Sequence, residues 1–228
     1  MYTDFEKFAM SRGVSSLSLH DYKSEINNAL ISPNIVEERT GNPLQIDVFS
    51  KLFTSRILFL GTEIDADVAN IINSQLLYLQ MDNKNAPINL YLNTPGGSVY
   101  DGLSIYDTMN YVECPVYTTC LGLAASMGSI LLTAGEKGNR AALPHSRVLI
   151  HQPLGGVHGQ ASDIEIVNNE IQTLKKELFT ILSEHSGNDY EKLVSMGDRD
   201  KWLTAQEAVS LNFIDYVIQK GDTKEIKK

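Results

Sequence analysis

The sequence predicts an α/β protein built on a largely parallel sheet. Three observations carry this. Short apolar runs closed by glycine or turn residues recur along the chain, as buried strands do. Between them lie stretches whose apolar residues fall three and four apart, as on one helix face. The chain also has 228 residues, 43% of them hydrophobic and 21% charged. That suits a folded domain with a sizeable core and excludes a mostly disordered chain, a collagen-like chain or a disulfide scaffold.

Residues 1–28 stand apart, rich in Ser, Asp, Lys and Asn and poor in aliphatic residues, and read as an extension or pro-segment. The run Arg56–Gly61 predicts a buried strand. Residues 67–81 predict a helix, with Val68, Ile71, Ile72, Leu76 and Leu79 near helical spacing. Leu90–Asn93 predicts a second strand. Thr94-Pro95-Gly96-Gly97-Ser98 is a turn, followed by a helix through Ile105 and Met109. Val116–Leu121 predicts a third strand, Ser126–Ala134 a short apolar helix closed by Gly135, and Ser146–His151 a further strand. Repeated strand–helix–strand units imply a parallel sheet with helices on its faces. Residues 161–185 place Ile164, Val167, Ile171, Leu174, Leu178, Ile181 and Leu182 on one face of a long helix. That stripe either covers the chain's own sheet or, on a projecting helix, needs a partner.

The net charge is −9, so the chain has no electrostatic pull toward nucleic acid or an anionic membrane. Cys114 and Cys120 lie in apolar sequence without metal-ligand spacing and read as two reduced thiols. The start MYTDFEKFAM lacks the cationic and apolar regions of a secretory signal, and no apolar run approaches the roughly 18 residues of a membrane span. A cytoplasmic location follows as an expectation.

Candidate chemistry begins at Ala124-Ala125-Ser126-Met127-Gly128. There a small-residue turn delivers a serine to a helix start, whose unpaired N–H groups suit a developing oxyanion. On its own, Ser126 reads as an N-cap, which serine favours. His151 ends a buried strand, where open α/β sheets line their clefts; alone it reads as structural. Gly155-Gly156 offers bare backbone to an extended peptide. The exposed N–H groups of the turn that follows Pro95, at Gly96-Gly97, offer a second oxyanion donor, and the turn is too short for a phosphate-binding loop. His20, His145, His158 and His185 read as surface or turn histidines. A Ser–His pair also needs a carboxylate. Gly197–Thr204 reads as a loop ahead of a helix with Thr204 and Glu207 as a capping box. Spacing does not choose between Asp198 and Asp200.

Several segments together resemble the proteolytic subunit of the Clp protease, the ClpP family. They are Leu92-Asn93-Thr94-Pro95-Gly96-Gly97 with Ser104–Met109, then Ala124–Gly128, Leu143–Gly156 and Gly159–Ile164. The similarity runs from about residue 29 to 220, and the joint order and spacing make it specific. It implies a crotonase-like fold with a head domain and a protruding handle helix, the handle lying at about 155–185. By the resemblance, Ser126 matches the nucleophile, His151 the base and Asp200 the third triad member. The N–H groups of Gly97 and Met127 match the oxyanion hole, and Leu154, Gly155 and Gly156 the strand that holds substrate.

The resemblance further implies a serine endopeptidase without a cofactor, assembled as two stacked seven-membered rings. An AAA+ unfoldase partner would feed unfolded proteins to it. The chain has no phosphate-binding loop, so ATP use belongs to that partner. Tyr91, Tyr111 and Ile218 match positions of the docking pocket, where Asn89 departs by being polar in place of an aromatic residue. Residues 29–44 match the axial-loop region and 45–228 the peptidase domain, with cleavage near Asn28–Ala29. Two other classes use the same fold: an acyl-CoA enzyme in which Ser126 and His151 are bystanders, and a non-catalytic ring subunit. The intact triad positions favour the active peptidase.

Overall fold

The computed structural model describes residues 34–39 and 42–222. The expected pro-segment and its cleavage point lie outside the described residues. The chain divides into two units, Met1–Lys51 and Leu52–Lys228. In the first, β1 (Asn34–Arg39) and β2 (Asn42–Asp47) pair antiparallel, with Asn34 opposite Asp47 and Arg39 opposite Asn42. Asp47 accepts a hydrogen bond from the Ser50 N–H at 2.9 Å as α1 (Val48–Phe53) begins.

The second unit is organised by one sheet. Strands β3 (Ile57–Leu60), β4 (Ile88–Thr94), β5 (Val116–Ala125), β6 (Arg140–Ala142) and β9 (Tyr216–Val217) lie side by side in that order, all parallel. Strand β7 (Arg147–Ile150) runs parallel to the second half of β5, and β8 (Lys201–Thr204) runs antiparallel to β7. Leu58, Leu60, Ile88, Leu90 and Leu92 alternate with more exposed residues, so one face of β3 and β4 is core. Helices α2 (Ala66–Asp82) and α3 (Val99–Tyr111) cover that face through Ile72, Leu76, Leu79, Ile105 and Met109. Every residue of α4 (Met127–Thr133) is buried, which explains why its sequence is apolar on all sides.

Strand β5 runs to Ala125, four residues beyond the predicted Leu121, so Ala124 and Ala125 are strand and not turn. The small residues read as a loop because the sheet is crowded there. A side chain on Gly122 would meet the Asn93 amide, whose Oδ1 accepts from the Leu123 N–H at 3.1 Å where β5 bulges, Cys120 to Ala124 running opposite Leu92 to Thr94. Residues 201–204, read as loop, are strand β8. They gain the edge of β7 as a partner, which the sequence does not announce.

The long helix α5 runs from Ala161 to Ser186 and resolves the question of its stripe by halves. Leu178, Phe179, Ile181 and Leu182 are buried in the chain's own core, and Leu174 is buried one turn earlier. Toward the N-terminus Ile164 and Ile166 are exposed, the latter by 67%. Helices α6 (Tyr190–Met196) and α7 (Ala205–Ser210) complete the unit, α7 starting on the Thr204–Glu207 capping box. His185, read as a surface residue, is half-buried: its Nε2 lies 3.1 Å from the Tyr106 hydroxyl, and burial with the Arg140 charge holds its pKa below the usual value.

Candidate active site

The strand order brings three chain segments to one cleft. Ser126 follows β5 directly and precedes α4, with φ 54° and ψ −122°, a conformation that few L-residues other than glycine adopt. It stands at the N-cap position of α4, but its side chain makes no capping hydrogen bond. Its N–H donates to the Leu149 carbonyl of β7 at 2.9 Å, locking the serine to the neighbouring strand. The helix behind is anchored on the same residue: the Ser126 carbonyl accepts from the Ser129 N–H at 2.9 Å and the Ser129 hydroxyl at 2.7 Å. A sharp strand-to-helix turn of this kind presents a hydroxyl outward and holds it there at the expense of backbone strain.

His151 comes next after β7. Because Ala125 pairs with Leu149, the parallel register sets Ile150 beside Ser126 and His151 one residue beyond, and Ser126 and His151 line the same cleft. Its Nδ1 lies 3.2 Å from Asp200 Oδ1. The register explains this contact. On the β7–β8 ladder Arg147 faces Thr204 and Ile150 faces Lys201, so the next pair outward is His151 and Asp200. Asp198 is two residues further on, and its side chain lies 3.9 Å from the exposed Arg199 guanidinium. With Nδ1 directed at a carboxylate, the other imidazole nitrogen, Nε2, is left to accept a proton.

The third segment is the turn after β4. Gly96 (φ 92°) and Gly97 (φ 153°) both require glycine. A Cβ on Gly97 would lie 2.1 Å from the Ile64 carbonyl oxygen, and one on Gly96 would lie 2.7 Å from Ser126 Cβ. Gly97 is held in an isolated parallel bridge with Ile64. The Ile64 N–H donates to the Gly96 carbonyl at 2.8 Å and the Ser98 N–H to the Ile64 carbonyl at 2.9 Å. Those two bonds lie on one side of the segment, so the intervening Gly97 N–H points to the other. The Met127 N–H is at the first position of α4, where no intrahelical acceptor exists.

Gly97, Ser126, Met127, His151 and Leu154 all line one cleft. Its remaining wall is apolar and includes Val99, Ile130, Leu178, Phe179 and Leu182. Leu154 is 83% exposed, and Gly155 and Gly156 beside it are exposed too, so this segment stands open as an edge. The cleft therefore brings together a hydroxyl, an imidazole in contact with a carboxylate, backbone N–H groups and a largely apolar wall. These are the parts of acyl transfer from a peptide.

A family model described as Clp protease matches residues 40–221. The chain belongs to the Clp protease family. It is 54% identical over 219 residues to an ATP-dependent Clp protease proteolytic subunit of Porphyromonas gingivalis, covering 96% of this chain and 98% of the relative. A Bacteroides fragilis protein of the same name is 53% identical, covering 95% and 99%. A Salinibacter ruber protein named proteolytic subunit 1 is 50% identical, covering 86% and 84%. The fold is that of this family, and the chain is a Clp-type peptidase.

The three expected docking residues lie on or beside separate elements. Tyr91 on β4 and Ile218 just after β9 belong to the sheet; burial and the nearby Tyr216 raise the Tyr91 pKa. Tyr111 ends α3 and is 72% exposed. Among the described residues no group of three or more His, Cys, Asp or Glu could hold a metal ion, and no helix is long and apolar enough to cross a membrane. Two residues bonded beside the site went unread in the sequence: Gln152, whose Nε2 donates to the Asp198 carbonyl at 3.0 Å, and Lys175, whose Nζ donates to Gln152 Oε1 at 2.8 Å.

Proposed function

We propose that Ser126 is the nucleophile, His151 the general base and Asp200 the residue that orients it. His151 Nε2 takes the serine proton as Oγ attacks the peptide carbonyl. The tetrahedral oxyanion forms between the N–H groups of Gly97 and Met127. His151 then protonates the leaving amine, and water attacks the acyl-enzyme by the same route. Leu154, Gly155 and Gly156 pair with the substrate backbone as an added strand. The carrying observation is the His151–Asp200 contact of 3.2 Å in the cleft that also holds the strained Ser126.

The assembly belongs to the same proposal. Two heptameric rings stack, the exposed half of α5 around Ile164 and Ile166 burying its apolar side chains in the facing ring. The enclosed sites then admit only unfolded chains, delivered in the cytoplasm by an AAA+ ATPase that hydrolyses the ATP. Its loops dock at Tyr91, Ile218 and Tyr111, the two groups meeting between neighbouring subunits. Residues 1–28 are removed as a pro-segment, and residues 29–44 surround the axial pore. Hydrolysis of a short fluorogenic peptide by the isolated assembly tests the chemistry. Activity abolished by Ser126→Ala supports it, and activity that survives overturns it. Degradation of an unfolded protein without ATP, but of a folded one only with ATPase and ATP, tests the assembly.

A further inference from the structure

Asp200 is an unusual orienting carboxylate because its side chain is 63% exposed. A carboxylate in that position is free to turn into water unless its segment is held. Within the chain, the exposed Arg199 guanidinium lies 3.9 Å from Asp198. On one side the segment is fixed by the β7–β8 ladder, which ends at Ile150 and Lys201. On the other side it is fixed by Gln152. The Gln152 N–H donates to the Gly197 carbonyl at 2.9 Å, and its side-chain Nε2 donates to the Asp198 carbonyl at 3.0 Å. A continued ladder would have set residue 152 against 199. The segment is looser than that, and the Gln152 side chain spans the difference.

Which way the Gln152 amide faces is decided by a third element. Lys175 Nζ donates to Gln152 Oε1 at 2.8 Å. An ammonium can only donate, so it must meet the oxygen, and this turns the NH2 group toward the Asp198 carbonyl. Lys175 sits on α5 directly after the buried Leu174, with its stem half-buried, so its ammonium is not free to wander.

We propose that Gln152 and Lys175 form a clamp that positions the Asp200 segment against His151, a role that rests on the triad reading above. Both are positioning residues, acting through Asp200. The charged group in contact with His151 is Asp200; the Asp198 carboxylate lies by Arg199, and the Lys175 ammonium meets the Gln152 amide oxygen.

The test is peptide hydrolysis by the assembled enzyme across pH, for Gln152→Ala, Lys175→Met, Lys175→Arg and the exposed neighbour Lys176→Met. Gln152→Ala lowers kcat about 10- to 100-fold, as expected for small misplacements of a catalytic group, with KM changed by less than about twofold. The acid limb of kcat/KM moves to lower pH, because a wandering Asp200 stabilises the His151 imidazolium less. Lys175→Met falls about fivefold, the scale of one lost hydrogen bond; Lys175→Arg restores most of this, and Lys176→Met matches the parent. Unchanged kcat in Gln152→Ala overturns the clamp. So does a lowered kcat with an unmoved acid limb in both Gln152→Ala and Lys175→Met, which would mark a merely structural role. Should Gln152→Ala not assemble, Lys175→Met decides by the same two readings. A parent enzyme whose Ser126 resists a fluorophosphonate would instead defeat the triad reading itself.

Discussion

Replacing Gly97 by alanine adds one methyl group at the point where the turn after β4 touches Ile64. That Cβ would lie 2.1 Å from the Ile64 carbonyl oxygen and 2.7 Å from the Ile64 nitrogen, both backbone atoms. Ordinary contact begins near ~3.4 Å, so the segment has to retreat by more than about an ångström, and φ 153° adds strain of its own. The Gly97 N–H moves with the segment, away from the position of the oxyanion. Losing one such donor costs about 10²–10³ in kcat, or about 2.7–4 kcal/mol. Gly159→Ala is the control, since its Cβ meets only the Asp163 side chain at 3.7 Å. The assay is kcat and KM on a fluorogenic peptide, with assembly checked by native mass. Gly97→Ala at near-parental kcat on an intact assembly would refute the placement of the oxyanion donor.

Other outcomes follow from the same structure. Arg140 is nearly buried and bound to Asp215 through two contacts, Nη2–Oδ1 at 2.8 Å and Nε–Oδ2 at 3.0 Å, so Asp215→Asn should cost about 3 kcal/mol in chemical denaturation by leaving a buried charge unpaired. Burial opposes ionisation of Asp215, but the Arg140 side chain, the Arg140 and Gly138 N–H groups and the Arg140 charge together hold its pKa below the usual carboxylate value. Glu207 is likewise lowered by its bonds to Thr204. Both groups therefore contribute stability that is fully present above the ordinary carboxylate range and lost as pH falls through their depressed values. Denaturation midpoints measured from pH 7 to pH 3 should fall, and Asp215→Asn should flatten that fall.

Much of the site was legible from residue order. Ser126 and His151 each stand where an apolar strand ends, and strand ends line the clefts of parallel sheets. What spacing could not give was the partner of His151, which came from the family resemblance alone. Asp198 and Asp200 differ by two places in sequence, and only the antiparallel register of β8 on β7 decides that Asp200 faces the imidazole. Strand β8 itself escaped notice because four residues before a helix cap carry no period. The end of β5 was missed for the opposite reason, since the glycine and alanines that resemble a loop are what a crowded sheet admits. His185 was misjudged because its burial comes from Tyr106, 79 residues away in sequence. The exposed and buried halves of α5 share one periodic stripe, so periodicity predicted the helix and not where its cover ends.

The central claim is that Ser126 is an activated nucleophile, and intact mass after fluorophosphonate treatment tests it most directly. The account predicts one adduct per chain on the assembled protein and none on Ser126→Ala. An assembled protein that stays unmodified, or an adduct that persists in Ser126→Ala, would contradict it.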